Sequence, residues 1–135
     1  MLGVYLPMAT LLIVALLFGG MFLFSVGFAA FLFRHLPQQD ARMLIRKAFP
    51  PFYLFVIISS GLVMALSWRS DPFSTALMAF IMITAVAARQ LLMPAINHAT
   101  DMALRKRFVL LHSLSVVLTL IHIFMAGIIL VHLVQ

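Results

Sequence analysis

Four long apolar runs separated by short polar connectors set the pattern of the chain. They cover about Tyr5 to Phe33, Phe49 to Trp68, Phe73 to Met93 and Phe108 to Val134. At about 1.5 Å per helical residue, each can cross the roughly 30 Å hydrocarbon layer of a bilayer. The pattern predicts an all-α, integral membrane four-helix bundle forming one domain. The first and fourth runs are long enough to tilt or to project from the bilayer. The first run has no basic residue ahead of it and exceeds a signal-peptide core, so it reads as a span rather than a cleavable signal.

The connectors carry the turn chemistry. Arg34 to Ala48 is polar, and Asp40 is expected to cap a short interfacial helix bearing Arg42, Arg46 and Lys47. Pro50–Pro51 is then expected to open the second span, where missing N–H groups cost least. Ser67 to Pro72 reads as a tight turn, with Asp71–Pro72 or Ser70 starting the third helix. Pro94 to Arg107 links the third and fourth spans, with Pro94 at a helix end. No linker separates two domains and no strict repeat is present.

Composition agrees with this reading. Of 135 residues, 65% are hydrophobic and 9% charged, against about 25% charged in soluble domains. That excludes a soluble enzyme, a disordered tail and a soluble DNA-binding module. The net charge of +6 does not imply nucleic acid, because the basic residues sit in connectors. Connector one has four (Arg34, Arg42, Arg46, Lys47). Connector three has Arg105, Lys106 and Arg107, with Arg89 just inside the membrane on the same side. Connector two has only Arg69. The positive-inside rule therefore predicts both termini outside and the two basic connectors in the cytoplasm. There, Arg42, Arg46, Lys47, Arg105, Lys106 and Arg107 would meet anionic lipid head groups. The chain has no cysteine, which excludes disulfides, thiolate metal sites and thiol nucleophiles.

Helix contacts are expected at small residues: Gly19, Gly20 and Gly27; Ser59, Ser60 and Gly61; Ala85, Ala87 and Ala88; Ser113, Ser115 and Gly127. Gly20 and Gly27, seven apart, would share a face.

Few side chains offer chemistry. No acidic residue lies within a span, which excludes an intramembrane carboxylate relay. His35 and His112 fall near the cytoplasmic interface, His98 in a connector, His132 at the outer end and His122 near the midplane. His122 can be satisfied by a neighbouring helix or can ligate a metal. Met125 shares its helix face, and Met21 and Met82 lie at similar depth, a set suited to Cu(I). Methionine is also ordinary gap-filling material. A bis-histidine haem b would use His112 and His35, with Arg89 on a propionate. Otherwise Arg89 snorkels to the interface. No phosphate loop, Ser/His/Asp arrangement or HExxH motif is present.

Several short elements carry a resemblance. They are Gly19-Gly20-Met21-Phe22 onward to Phe33-Arg34, Phe49-Pro50, Leu92-Met93-Pro94-Ala95-Ile96-Asn97, and Phe108 followed by Leu111-His112-Ser113-Leu114-Ser115-Val116. From about Gly19 to Gly127 the chain resembles the small bacterial four-helix domain of unknown function shared with transmembrane-protein-205-like proteins. That family often carries Asn in the last span, where this chain has Thr119. The resemblance makes His112, then Arg34, the leading motif residues. The layout is also similar to CopD-like copper domains and, more distantly, to HemJ-type protoporphyrinogen oxidases, which imply copper transfer or haem-linked chemistry.

The expected function is that of a binding or accessory subunit of a membrane complex rather than an enzyme, sited in the bacterial cytoplasmic membrane. Its partners would be lipid, other membrane subunits or further copies of itself, not nucleic acid. The alternatives are copper handling through His122, Met125, Met21 and Met82, and a haem-binding oxidoreductase using His112, His35 and Arg89.

Overall fold

A computed structural model describes residues 1–135. It contains four long helices and no strand: α1 (Leu2–His35), α2 (Gln38–Ser67), α3 (Pro72–Asp101) and α4 (Arg105–Leu133). Each is long and apolar enough to cross a membrane. The chain fits an integral membrane protein. α2 packs on α3, and α1 packs on both α2 and α4, leaving α1 and α3 on a diagonal. The result is an up-down-up-down bundle. Both chain termini and the turn at residues 68–71 share one end, the terminal end. The connectors at residues 36–37 and 102–104 share the other, the basic end.

Buried residues recur at seven-residue intervals divided into threes and fours. On α1 they are Thr10, Val14, Leu17 and Met21; on α3, Ser74, Met78, Ile81, Ala85 and Ala88. That period is the seam of a left-handed bundle. Only 23 residues are buried, while Phe22, Phe31, Leu91, Leu110 and Phe124 stand exposed. Such apolar outer faces are stable against acyl chains and not against water. Buried hydroxyls turn back on their own helices. Ser60 donates to the Val56 carbonyl at 2.7 Å, Ser67 to Val63 at 2.7 Å and Thr10 to Leu6 at 2.9 Å.

The prolines behave differently from the sequence reading. No separate interfacial helix forms at Asp40: α2 begins at Gln38 and runs unbroken through Pro50 and Pro51. Pro37 stands at its N-cap, and Leu36 before it is extended, as a residue preceding proline must be. Pro50 and Pro51 leave the carbonyls of Arg46 and Lys47 without helical partners. Both residues are exposed at the basic end, so water can satisfy those carbonyls. Pro94 likewise does not end α3. A π-helical turn over Ala88–Leu92 precedes it, with the Met93 N–H reaching the Ala88 carbonyl five residues back. Local π geometry of this kind absorbs a proline inside a membrane helix. The helix continues to Asp101 and ends in a Schellman turn. There Leu104 N–H bonds Ala99 O at 2.9 Å and Ala103 adopts φ 53°.

α1 has its own π-helical turn, Leu23–Phe28. The extra residue rotates the remainder of the helix by about 100°, so Gly20 and Gly27 do not share a face. A Cβ on Gly20 would come within 2.9 Å of the Phe55 ring of α2, whereas one on Gly27 would meet Leu23 of its own helix. Gly61 sits against Met82 of α3 and Gly127 against Phe18 of α1, so both permit close helix approach. Gly19 faces open space. Within the π turn, Phe24 stacks on Phe52 at 4.1 Å and meets Phe49 edge-on at 5.5 Å. This aromatic cluster fastens α1 to α2 near the basic end.

Candidate functional site at the basic end

Charge is segregated. Eight of the nine basic residues and two of the three acidic ones belong to the basic end, whereas Arg69 and Asp71 balance at the other. The whole net charge of +6 therefore sits at one end. Its single ion pair joins α2 to α3: Arg46 binds Asp101 through two nearly parallel hydrogen bonds of 2.7 and 2.9 Å. Both side chains are about half exposed, so the pair is worth only about 0–1 kcal/mol.

Beneath that pair, α2, α3 and α4 enclose a pocket of about 40 Å³. Helical spacing builds it: Arg46, Phe49 and Tyr53 from α2, Ile96 and Asn97 from α3, and His112 and Ser115 from α4. Ser115 donates to the His112 carbonyl at 2.7 Å. The Asn97 amide and the His112 ring bond no other protein group. Tyr53 is 3% exposed, and its hydroxyl lies beside Thr119. Half of the lining is apolar, Met93 of α3 included, and the donors left free are the Asn97 amide and the His112 ring, with one guanidinium at the mouth. Arg89, half-buried, donates from Nε to the Pro50 carbonyl at 3.4 Å, which holds it against α2 at this same end.

The other predicted residues are dispersed. His35 donates from Nδ1 to the Phe31 carbonyl at 2.9 Å and stacks on the Phe31 ring. Its segment, Ala29–His35, packs against α2. His112 stacks on Phe108 of its own helix at 5.4 Å. At mid-depth His122 is 2% exposed, and its Nε2 lies 2.7 Å from Thr84 Oγ1 on α3. Thr84 gives its hydroxyl hydrogen to the Phe80 carbonyl at 2.7 Å, so the imidazole N–H is the donor to Thr84. Met21 is fully buried, Met125 is half-buried and packs on the core, and Met82 turns its sulfur toward Gly61 of α2. No three His, Cys, Asp or Glu side chains gather closely enough to hold a metal ion. Arg42, Lys47, Arg105, Lys106 and Arg107 are exposed around the basic end.

A second concavity lies on the flank toward the terminal end. It is an open apolar groove of about 840 Å³ along α4, walled by Phe18, Phe73, Phe124 and Ile128 and floored at Gly127.

Sequence reasoning missed Tyr53, Asn97 and Asp101 as parts of one site. The available signal was the seven-residue spacing of Arg46 and Tyr53, which stacks them on one face of α2.

No curated protein and no solved structure is detectably similar to the chain. A family model does match, over residues 12–105. The match takes in most of α1, all of α2 and α3, and with them Arg46, Tyr53, Arg89, Asn97 and Asp101, but not His112 or Ser115. On that match the chain belongs to the family described as a domain of unknown function, DUF4149.

Proposed function

We propose that the protein is a binding or accessory subunit of a membrane complex, not an enzyme. In this reading it lies in a bacterial cytoplasmic membrane with its basic end in the cytoplasm and both termini outside. The carrying observation is the segregation of the entire net charge of +6 at one end of an otherwise apolar bundle. Cations at head-group depth attract the anionic leaflet by roughly 1 kcal/mol each. They equally suit an acidic surface on a partner subunit. The interior supports the same reading, because its buried side-chain polar atoms are all partnered and are spent on holding helices rather than on a reacting group.

The test is gentle extraction of the full chain from its native membrane, with native mass spectrometry, an absorption spectrum and metal analysis of the product. Recovery with a stoichiometric membrane protein partner supports the reading. A Soret band or near-stoichiometric copper overturns it in favour of haem or copper chemistry. So does a colourless, metal-free chain that is recovered alone.

Orientation is tested separately, and the absence of cysteine makes this simple. Gln135→Cys is expected to react with a membrane-impermeant maleimide in intact spheroplasts. Gln39→Cys is expected to react only after permeabilisation. The reverse pattern would refute the orientation.

A further inference from the structure

We infer that the pocket under the Arg46–Asp101 pair is a specific site for a phosphate group, supplied by an anionic phospholipid, with Asp101 as the group that the phosphate displaces. The inference rests on the binding-subunit reading and names the ligand class of its basic end.

Depth is the first argument. Arg46 lies about 32 Å of helix from the terminal end of α2, and His112 lies about the same distance from the end of α4. The hydrocarbon layer is about 30 Å thick. The mouth of the pocket therefore falls where lipid phosphates lie.

Chemistry is the second. Arg46 already presents two parallel N–H groups to a carboxylate, and the same fork fits two phosphate oxygens. The Asn97 amide and the His112 ring line the same pocket and bond no other protein group. Tyr53 closes the inner wall with a hydroxyl. Donors from three helices converge on a space whose nearest charge is positive. This arrangement suits an anion, whereas a cation would meet the Arg46 guanidinium at the mouth.

Size decides how the ligand sits. A pocket of about 40 Å³ holds about one water molecule, at roughly 30 Å³ each. A phosphate does not enter it whole. It takes the place of the Asp101 carboxylate on Arg46 at the mouth, accepts from His112 and Asn97, and reaches Tyr53 through a bridging water. The exposed Arg46–Asp101 pair is weak enough to yield. The glycerol and acyl chains then lie along the apolar outer faces of the helices.

A built site and a diffuse basic surface give different results, because Tyr53 and Asn97 are uncharged. The probe is phosphatidylglycerol at 20 mol% in phosphatidylcholine nanodiscs holding the full chain, with bound lipid counted by native mass spectrometry. Wild type is expected to retain one phosphatidylglycerol in preference to phosphatidylcholine. Asn97→Leu and Arg46→Gln should each weaken that retention by about tenfold, and Tyr53→Phe by a few-fold. Asp101→Asn should strengthen it by a few-fold. Thermal melting of each variant separates loss of binding from loss of fold, and Tyr53→Phe, the most conservative change, keeps the test valid if Asn97→Leu unfolds. Retention that tracks net charge alone, unmoved by Asn97→Leu and Tyr53→Phe, overturns the site. Loss of the retained lipid to millimolar inorganic phosphate would keep the phosphate chemistry but assign it to a soluble source. A chain that recovers its partner subunit yet shows no lipid preference refutes the site and leaves the binding-subunit reading standing. A haem- or copper-loaded chain refutes that reading itself.

Discussion

Thr84→Val is expected to destabilise the bundle by about 0.6–1.7 kcal/mol, more than the double variant Thr84→Val/His122→Leu. The imidazole of His122 is 2% exposed and donates to the Thr84 hydroxyl at 2.7 Å. Valine keeps the shape of threonine and removes the acceptor. An unpaired buried donor costs about 1–3 kcal/mol. Couplings of this kind between membrane helices average only about 0.6 kcal/mol and reach about 1.7, because the unfolded chain in lipid also finds partners. The lower range governs here. Replacing both partners leaves no unpaired group, and leucine fills much of the imidazole's space, so the double variant should lie near wild type. His122→Ala leaves a cavity at a position only 2% exposed, and should cost about 2–5 kcal/mol. Reversible unfolding in mixed micelles, arranged as a double-variant cycle, measures all of these. Strict additivity would show that the two side chains are uncoupled. A neutral Thr84→Val, together with a metal lost on His122→Leu, would make His122 a ligand rather than a structural donor.

The same pair shows why the helices were readable and their faces were not. A membrane bundle is apolar toward lipid and apolar toward its core, so periodicity of hydrophobic residues marks spans without marking sides. Leu16 is exposed and Leu17 is fully buried, although nothing in residue type separates them. The buried side is marked instead by small and weakly polar residues: Thr10, Ser60, Ser74, Ser115 and His122. Ser60, Gly61 and Ser115 were legible on that principle. Two effects hid the rest. The π turns in α1 and α3 each insert a residue, so every facing relation counted across them from the sequence is displaced, as with Gly20 and Gly27. Prolines 50, 51 and 94 read as helix ends because they break helices in water. Near a membrane surface, local π geometry and hydrated carbonyls absorb them. The basic-end pocket depends on both continuities. Without α2 running through Pro51 and α3 running through Pro94, Arg46 and Asp101 would not lie on facing helices. The turn at Asp71–Pro72 was legible because capping is local: the Asp71 side chain accepts from the Ser74 N–H at 3.1 Å, with Pro72 in the first turn.

Asp71→Ala is expected to cost about 1–3 kcal/mol, because this one carboxylate does two jobs at the terminal end. It caps α3, accepting from both the backbone N–H and the hydroxyl of Ser74, and a lost cap costs about 1 kcal/mol, up to about 2. It also faces His132 in the last turn of α4 at 3.2 Å, where Phe73 packs on the same imidazole. A half-exposed link of that kind adds about 0–1 kcal/mol. Partial burial pushes the Asp71 carboxyl upward, but the Ser74 hydrogen bonds and the neighbouring His132 outweigh it, and the net shift is downward. That direction fixes the sign of the pH dependence. A carboxylate whose pKa is lower folded than unfolded contributes stability at neutral pH, and that contribution is lost as pH falls from the ordinary carboxylate range through the lowered value. Asp71→Asn keeps an acceptor for the cap and removes the charge. Wild type should therefore be the more stable of the two at neutral pH, and the difference should shrink toward zero as Asp71 protonates. Thermal melting of both proteins over an acid series measures the difference directly. A difference that stays constant with pH would place the effect in cap geometry rather than charge. The location makes the loss consequential. α3 and α4 meet mainly near the basic end, and at the terminal end the flank groove opens beside Phe73 and His132. The Asp71–His132 contact ties α3 to α4 where their packing is thinnest, so its loss should loosen that end first and leave the Arg46–Asp101 end intact. Hydrogen exchange should then rise at residues 128–133 and stay unchanged at residues 93–101.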